Sequence, residues 1–408
     1  MHRAKLLAAV TSALFLLVVS AVLGYSELYI MSAALISVPL ISYVVGMIGV
    51  SRLQCTRDAI GFANEGAPFQ VRLNIVQKSS LLGPIEIEDQ LPEWIVRTDT
   101  TAPGEGATRR AGDGAKAEDD SAVSYTAIAR KRGEYALGPV RLHVSDPLGF
   151  FHFRRRYRLF SKLIILPSAL MIPELAIRPM GRLGEYQFDG YGAKGSGIDF
   201  HGVREYNRGD ELRRVHWRST AKHNRLNVIE YEHSRAEDAV IAIDLRRGSE
   251  VGSGIYTSLE YGVRIAAGII EQTLDSGSSA RIIGDGIVGP AAMFGRGLDH
   301  LHVLLDALAR VRADRPGSMS DMLFRELTGI GDNTTVICLA AAIDEGLVPC
   351  AELLAARGVK LQFIQINVLD EAPEDQLAGA IMRTGASLAV VDCSTNEVEG
   401  HVRYGHAV

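Results

Sequence analysis

GSGIDFHGVREYNRGDELRRVHWRSTAKHNRLNVIE, residues 195–230, crowds charges of both signs around a few apolar side chains. Gly197 and Gly202 permit irregular backbone around Asp199, Phe200 and His201. Gly209-Asp210 is expected to end a short segment over residues 203–206 and to start a helix, with Asp210 capping its free amides. Leu212, Val215 and Ser219 would then share one helical face, with Trp217 beside it. Arg213, Arg214, Arg218 and Lys222 fill much of the remainder. Two readings follow. Arg204, Glu205, Asp210, Arg213, Trp217 and Arg218 can form a recognition surface, because Trp and Arg anchor interfaces. The same charges can instead pair internally and clamp the stretch in place, with Trp217 as an apolar plug. A mixture is expected, in which Asp199, Glu205 and Asp210 are structural and some arginines face outward.

Towards the C-terminus, apolar strands alternate with helical segments. Strands are expected over residues 239–244, 280–283, 334–339, 359–366 and 387–391. Helices are expected over residues 258–274, 298–311, 343–357 and 374–384. Gly277, Gly358 and Gly385 stand where three of those helices should stop. Such alternation specifies a doubly wound parallel sheet covered on both faces. Ligands of such sheets bind at the carboxyl ends of the strands, so Asp244 is the first residue to inspect. The following Leu245-Arg246-Arg247-Gly248 brings no hydroxyl ligand, and Ala340-Ala341-Ala342 brings no side-chain oxygen. A hard cation wants several oxygens, so no metal and no cofactor is expected, and Asp244 should pair with Arg246, Arg247 or an arginine of residues 195–230. No phosphate loop, HExxH or GxSxG motif is present, and His201, His216, His223 and His233 follow no ligand spacing.

Towards the N-terminus, residues 6–23 and 28–50 are two charge-free apolar runs, each near the ~20 residues that cross a bilayer core. Gly24-Tyr25-Ser26-Glu27 leaves room only for a tight turn between them. A cleaved signal peptide is the rival, since His2, Arg3 and Lys5 precede the first run, but that run is long and a second follows at once. Arg3 and Lys5 before the pair, and Arg52 and Arg57 after it, place both ends in the cytoplasm by the positive-inside rule. Pro39 is tolerable in the second span beside a neighbouring helix. Between residues 61 and 167 the pattern is short strands (69–76, 85–87, 124–129, 140–144 and 163–166) separated by turns such as Gly83-Pro84 and Gly138-Pro139. A small β-sandwich is the expected package. Residues 98–121 lack apolar periodicity and are expected to form a disordered insertion. Phe153-Arg-Arg-Arg-Tyr-Arg suits either anionic headgroups or, preferably, the solvated face of an edge strand.

The whole chain of 408 residues has 43 basic and 48 acidic side chains, a net charge of −5, so no global field points to nucleic acid. Four cysteines show no paired or metal-like spacing, which suits a reducing compartment, and Cys338 and Cys393 sit in apolar runs as small buried hydrophobes.

Phe200-x-Gly202-x-Arg204-Glu205-Tyr206-x-x-Gly209-Asp210-x-x-Arg213-Arg214-Val215-x-Trp217 resembles the signature of a bacterial and archaeal family, domain of unknown function 58. Arg132-Gly133-x-Tyr135-x-Leu137-Gly138-Pro139, Asp146-Pro147-Leu148-Gly149-Phe150 and a strand ending at Pro167 agree with it in order. The C-terminal domain also resembles the von Willebrand A type, whose first strand usually ends Asp-x-Ser-x-Ser around a divalent cation; both serine positions are replaced here. The expected chain is thus a transmembrane hairpin (1–54), a β-sandwich domain (55–170), a charged signature stretch (171–237) and a von Willebrand A-like α/β domain (238–408). The resemblance implies a non-enzymatic adaptor whose partner is a MoxR-type AAA+ ATPase, and the apolar runs with their flanking charges put it in the inner membrane with its soluble domains cytoplasmic. Asp199, Arg204, Glu205, Tyr206, Gly209, Asp210, Arg213, Trp217, Arg218 and Lys222 are the expected motif and partner-binding residues. An envelope-related hydrolase using acids of the stretch, or a sensor of anionic lipid or phosphate using its arginines, are the alternatives.

Overall fold

The structure is a computed structural model that describes residues 2–58, 60–76, 82–83, 85–98, 121–172, 199–206, 215–223, 225–232, 238–331, 334–369, 375–393 and 401–405. Two compact units divide the chain: Met1–Ser168 with Leu308–Arg310, and Ala169–Ala307 with Val311–Val408. The expected insertion at 98–121 falls almost wholly outside the described residues.

The first unit begins with α1 (His2–Leu23) and α2 (Ser26–Ser51), joined at Gly24 and Tyr25. Gly24 adopts φ +72°, and its N–H returns to the Ser20 carbonyl at 2.8 Å, so the turn closes in fewer residues than the sequence suggests. Both helices are long and apolar enough to cross a membrane. They are not core helices: Leu7, Phe15, Val22 and Ile30 are all more than two-thirds exposed. Ser32 Oγ donates to the Ala13 carbonyl at 2.9 Å, and Ser20 Oγ donates to the Tyr25 carbonyl at 2.9 Å. Small polar groups that satisfy backbone acceptors across a helix pair are what an apolar surrounding demands.

Ten strands follow: β1 (Gln54–Arg57), β2 (Phe62–Asn64), β3 (Pro68–Val76), β4 (Ile85–Asp89), β5 (Ile95–Arg97), β6 (Ser121–Ala129), β7 (Gly133–Leu137), β8 (Val140–Ser145), β9 (His152–Tyr157) and β10 (Ser161–Leu166). They pair as three small sheets, β1-β3-β6-β5, β2-β10-β7 and β4-β8-β9. Alternation drives one side of each strand inward, so Val71, Leu73, Ala127, Leu137, Leu142 and Leu163 meet in a single core. Arg57 is the buried tie. Its guanidinium pairs with Asp89 and reaches the carbonyls of Leu137 (3.3 Å), Gly138 (3.1 Å) and Leu159 (3.2 Å), and Tyr125 donates to the other Asp89 oxygen at 2.7 Å. Burial, more than the Asp89 contact, pushes the Tyr125 phenol well above its usual range. The block Asp146-Pro-Leu-Gly-Phe is a turn that grips α2. Asp146 accepts from the Phe151 N–H (2.7 Å) and from Ser42 Oγ, and Tyr43 packs edge-on against Phe151 at 5.2 Å.

The second unit opens with β11 (Asp199–Glu205), α3 (Trp217–His223) and β12 (Asn227–Glu232). Then come β13 (Asp238–Ile243), the short hairpin β14 (Gly252–Ser253) and β15 (Tyr256–Thr257), α4 (Ser258–Asp275), β16 (Ala280–Ile283), α5 (Gly297–Arg310) and α6 (Met319–Glu326). β17 (Thr334–Ala340), α7 (Leu347–Ala356), β18 (Lys360–Asn367), α8 (Asp375–Arg383), β19 (Ser387–Asp392) and β20 (His401–Gly405) complete it. The large sheet runs β16-β13-β17-β18-β19-β20; the first five strands are parallel and β20 is antiparallel on the edge. β17 is buried at all seven positions, as a strand covered on both faces must be. One face carries Val240, Cys338 and Phe363 against Met322, Leu323, Leu354 and Ile381 of α6, α7 and α8. α4 is buried on almost every side, and Thr257 caps it by accepting the Glu260 N–H at 3.2 Å. Gly277, Gly358 and Gly385 take positive φ just past α4, α7 and α8, the stop positions that the sequence suggests. α7 starts four residues after its expected first residue, because Asp344 takes the preceding turn and accepts the Gly346 N–H at 3.1 Å.

Candidate functional site

The signature stretch forms a hairpin. β11 and β12 pair antiparallel from Asp199↔Glu232 to Glu205↔Asn227, with a register shift at His201 between Phe200 and Gly202. An extra residue beside a glycine is the usual form of a bulge, so the irregular backbone expected near Gly202 takes that form. The Tyr206 N–H continues the pairing to the Leu226 carbonyl at 2.8 Å. The expected helix is corrected. Val215 is extended, bridges Val228 and is buried, so it does not share a helical face with Ser219. The helix begins at Trp217, where His216 acts as the cap: its Nδ1 and its carbonyl both accept the Ser219 N–H at 3.1 Å. β-branched valines that can bury themselves by pairing with each other favour the extended form there. Asn227, which sequence reasoning missed, ties the two parts together. Its N–H donates to Thr220 Oγ1 (3.0 Å), its Nδ2 to Ser219 Oγ (3.2 Å), and its carbonyl accepts the His216 N–H (2.8 Å).

Of the expected site residues, Asp199, Arg204 and Glu205 lie on β11, and Tyr206 follows it half-buried. Gly209, Asp210 and Arg213 lie outside the described residues, and with them the cap assigned to Asp210. Trp217, Arg218 and Lys222 come together on α3 and are all exposed, Trp217 at 69%. Trp217 therefore plugs nothing, and the clamp reading is corrected at that residue. Arg218 and Lys222 stand four apart, where like charges work against a helix. Leu226, 42% exposed, adds apolar surface just after α3. An exposed indole beside two cations offers the side-chain types that anchor contacts with other molecules.

The sheet offers a second locality. The strand order reverses beside β13, so the crevice at the carboxyl ends of β13 and β17 is the switch point where such sheets hold ligands. Here Arg246 fills it. Asp244, its side chain 3% exposed, accepts from Arg246 Nε at 2.9 Å, from the second guanidinium nitrogen at 2.7 Å, and from the Arg246 N–H at 3.0 Å. Asp344 stands 3.7 Å from the guanidinium and accepts from Ser320 Oγ at 3.1 Å. The Asp244 hydrogen bonds hold the Arg246 guanidinium above its ordinary pKa. The adjoining hollow, lined by Asp244, Ser249, Ser258 and Ala340, has a free volume of 10 Å³, about that of one water. Asp244 thus pairs with Arg246, one of the partners the sequence offers. Asp344 was missed, although an aspartate two residues before Gly346 and the start of α7 is itself a turn signal. Among the described residues no three of His, Cys, Asp and Glu cluster as metal ligands.

Comparison with known proteins sets this geometry in a family. No curated protein matches the sequence. Among solved structures, the ASH/PapD-like domain of human CEP192 is 14% identical, with 28% of this chain and 86% of that one covered and a TM-score of 0.18. A point mutant of the SrpA adhesin from Streptococcus sanguinis is 13% identical, covering 28% of this chain and 57% of that one, with a TM-score of 0.17. The family described as "Protein of unknown function DUF58" matches residues 202–398, which run from the β11 bulge past β19 and include both localities. Over that region, just under half of its length, the chain matches the DUF58 family.

Proposed function

We propose that this protein is a membrane-anchored, non-enzymatic adaptor that presents the α3 surface to a protein partner. The observation that carries the reading is Trp217, exposed at 69% on a helix it shares with exposed Arg218 and Lys222. The anchor is the α1–α2 pair, whose outward apolar surface is matched to lipid rather than to water. The positive-inside rule directs the soluble units to the cytoplasm, the inner membrane being the site of anchoring. Asp244 at the end of the first strand supports a von Willebrand A-like α/β domain, and Arg246 in the cation's place supports a role in which that domain is a scaffold. The partner implied by the family resemblance is a MoxR-type AAA+ ATPase. The test is affinity capture from membranes with the full chain as bait. Trp217→Ala and Arg218→Ala should leave the melting temperature within about 2 °C of the parent, the scale of exposed substitutions. Each should reduce partner recovery at least ten-fold, since losing an interface Trp or Arg costs about 2 kcal/mol or more. Full recovery of the partner by both folded variants would end this reading.

A further inference from the structure

β9 has two working faces. Phe153, Arg155 and Tyr157 alternate on the side that meets the end of α2. Phe153 packs on Tyr43 at 5.6 Å, Arg155 donates to the Val50 carbonyl, and Tyr157 donates to the Leu53 carbonyl at 2.6 Å. Arg154 and Arg156 therefore stand on the opposite side, bordering open solvent. On β8, Val140, Leu142 and Val144 enter the core, so Arg141 and His143 also face outward. The register sets Arg141 opposite Arg156 and His143 opposite Arg154. Like charges directly opposite weaken a sheet. The counter-charges on this face are Glu86 and Glu88 of β4, which the register sets opposite His143 and Arg141; Glu88 stands 3.3 Å from Arg141 and 3.4 Å from His143. Among the described residues, Arg154 and Arg156 have no acidic partner. These side chains border a recess of 400 Å³.

We propose that this row binds the headgroups of anionic phospholipids in the membrane that α1 and α2 cross. The inference rests on the membrane anchoring proposed above and needs no protein partner. Guarding an edge strand does not explain the row, because Arg141 and His143 lie on the central strand of the three, and a single charge on the edge would suffice. Position argues for lipid. α2 has 26 residues, about 39 Å of helix, against a hydrocarbon core of about 30 Å. Its last turns therefore leave the core, and Gly46, Gly49 and Val50 there are buried against the strand-rich unit. The β8–β9 turn reaches further back: Phe150 lines an apolar hollow with Ala9, Leu35, Val38 and Pro39 of the two helices. Arg154 is four residues beyond Phe150, at most about 13 Å of extended chain, so with Phe150 against the apolar helices Arg154 is carried outward towards phosphate level.

The experiment uses the full chain in neutral detergent, offered phosphatidylglycerol or phosphatidylcholine and read by native mass spectrometry. Phosphatidylglycerol should be retained in preference. A basic residue near an anionic surface strengthens binding roughly five-fold, so Arg154→Gln with Arg156→Gln should weaken retention by about twenty-five-fold. Arg154→Lys with Arg156→Lys should restore most of it. Equal retention of the two lipids by the parent chain overturns the inference before any variant is made. Unchanged preference in the glutamine pair overturns it as well, and tighter retention of heparin than of phosphatidylglycerol would reassign the row to a soluble polyanion. Release of the chain from membranes by alkaline carbonate would instead refute the anchoring on which the inference rests.

Discussion

Removing the Arg246 side chain asks whether a guanidinium stands where a sheet of this kind would hold its ligand. Asp244 is almost sealed and Arg246 is 28% exposed. Arg246→Ala strips the carboxylate of contacts at 2.7, 2.9 and 3.1 Å and leaves it the backbone N–H at 3.0 Å. Breaking a fully buried pair costs about 3–5 kcal/mol and breaking an exposed one about 0–1. With one partner sealed and the other partly wet, about 2 kcal/mol is expected. Asp244→Ala should cost less, about 1 kcal/mol, because Arg246 can turn to water or to Asp344. The double variant should resemble Asp244→Ala, leaving a coupling of about 2 kcal/mol. For a domain of this size 1 kcal/mol shifts the melting point by about 2–4 °C, so Arg246→Ala should lower the α/β transition by about 4–8 °C. Scanning calorimetry of the full chain in detergent reads it, and millimolar Mg²⁺ should leave the parent transition in place. Additive single losses, or a Mg²⁺-dependent rise that Asp244→Ala abolishes, would refute the idea that arginine fills the cation position.

The four cysteines should resist a disulfide reagent at pH 8 while the chain is folded and react once it is denatured. Burial pushes Cys55 and Cys350 up to about 11 and Cys393 up to about 12, and raises Cys338 as well, so little thiolate exists at that pH; rapid labelling of the native chain would count against this. Gly268→Ala should destabilise by about 1–3 kcal/mol, against the gain of about 1 kcal/mol usual for that change in a helix. The added Cβ would lie 2.4 Å from the Leu170 carbonyl oxygen, so a raised melting temperature would refute docking of that segment on α4. A reporter active only outside the cytoplasm, fused after Val408, should stay silent, and activity there would overturn the orientation drawn from Arg3, Lys5, Arg52 and Arg57.

Local pattern is enough for much of this chain. Two long apolar runs, five continuous apolar strands and three stop glycines each act within a few residues, so α1, α2, β13, β16–β19 and the ends of α4, α7 and α8 are legible from composition and period. Short edge strands are not. β1, β5, β7 and β20 exist because a neighbour pairs with them, and nothing in three to five residues announces that neighbour. α6 hides for a similar reason: its eight residues become helix where Met319, Met322 and Leu323 meet α7.

The site divides along the same line. The sequence by itself determined that charge, Trp217 and Arg218 gather in one stretch, and that the end of β13 carries an acid beside arginines where hydroxyls would be wanted. Exposure and pairing belong to the tertiary structure. Whether Trp217 plugs or protrudes depends on what covers it, and it is Val215, captured by Val228, that moves the helix start and turns the indole outward. Asp344, far along the chain from Asp244, reaches Arg246 because parallel strands bring their carboxyl ends to one edge. The cations of β8 and β9 form a row only when the antiparallel register sets them opposite each other and α2 occupies the other side of β9. Contacts between segments far apart in the chain decide these matters, and local sequence period carries no information about them.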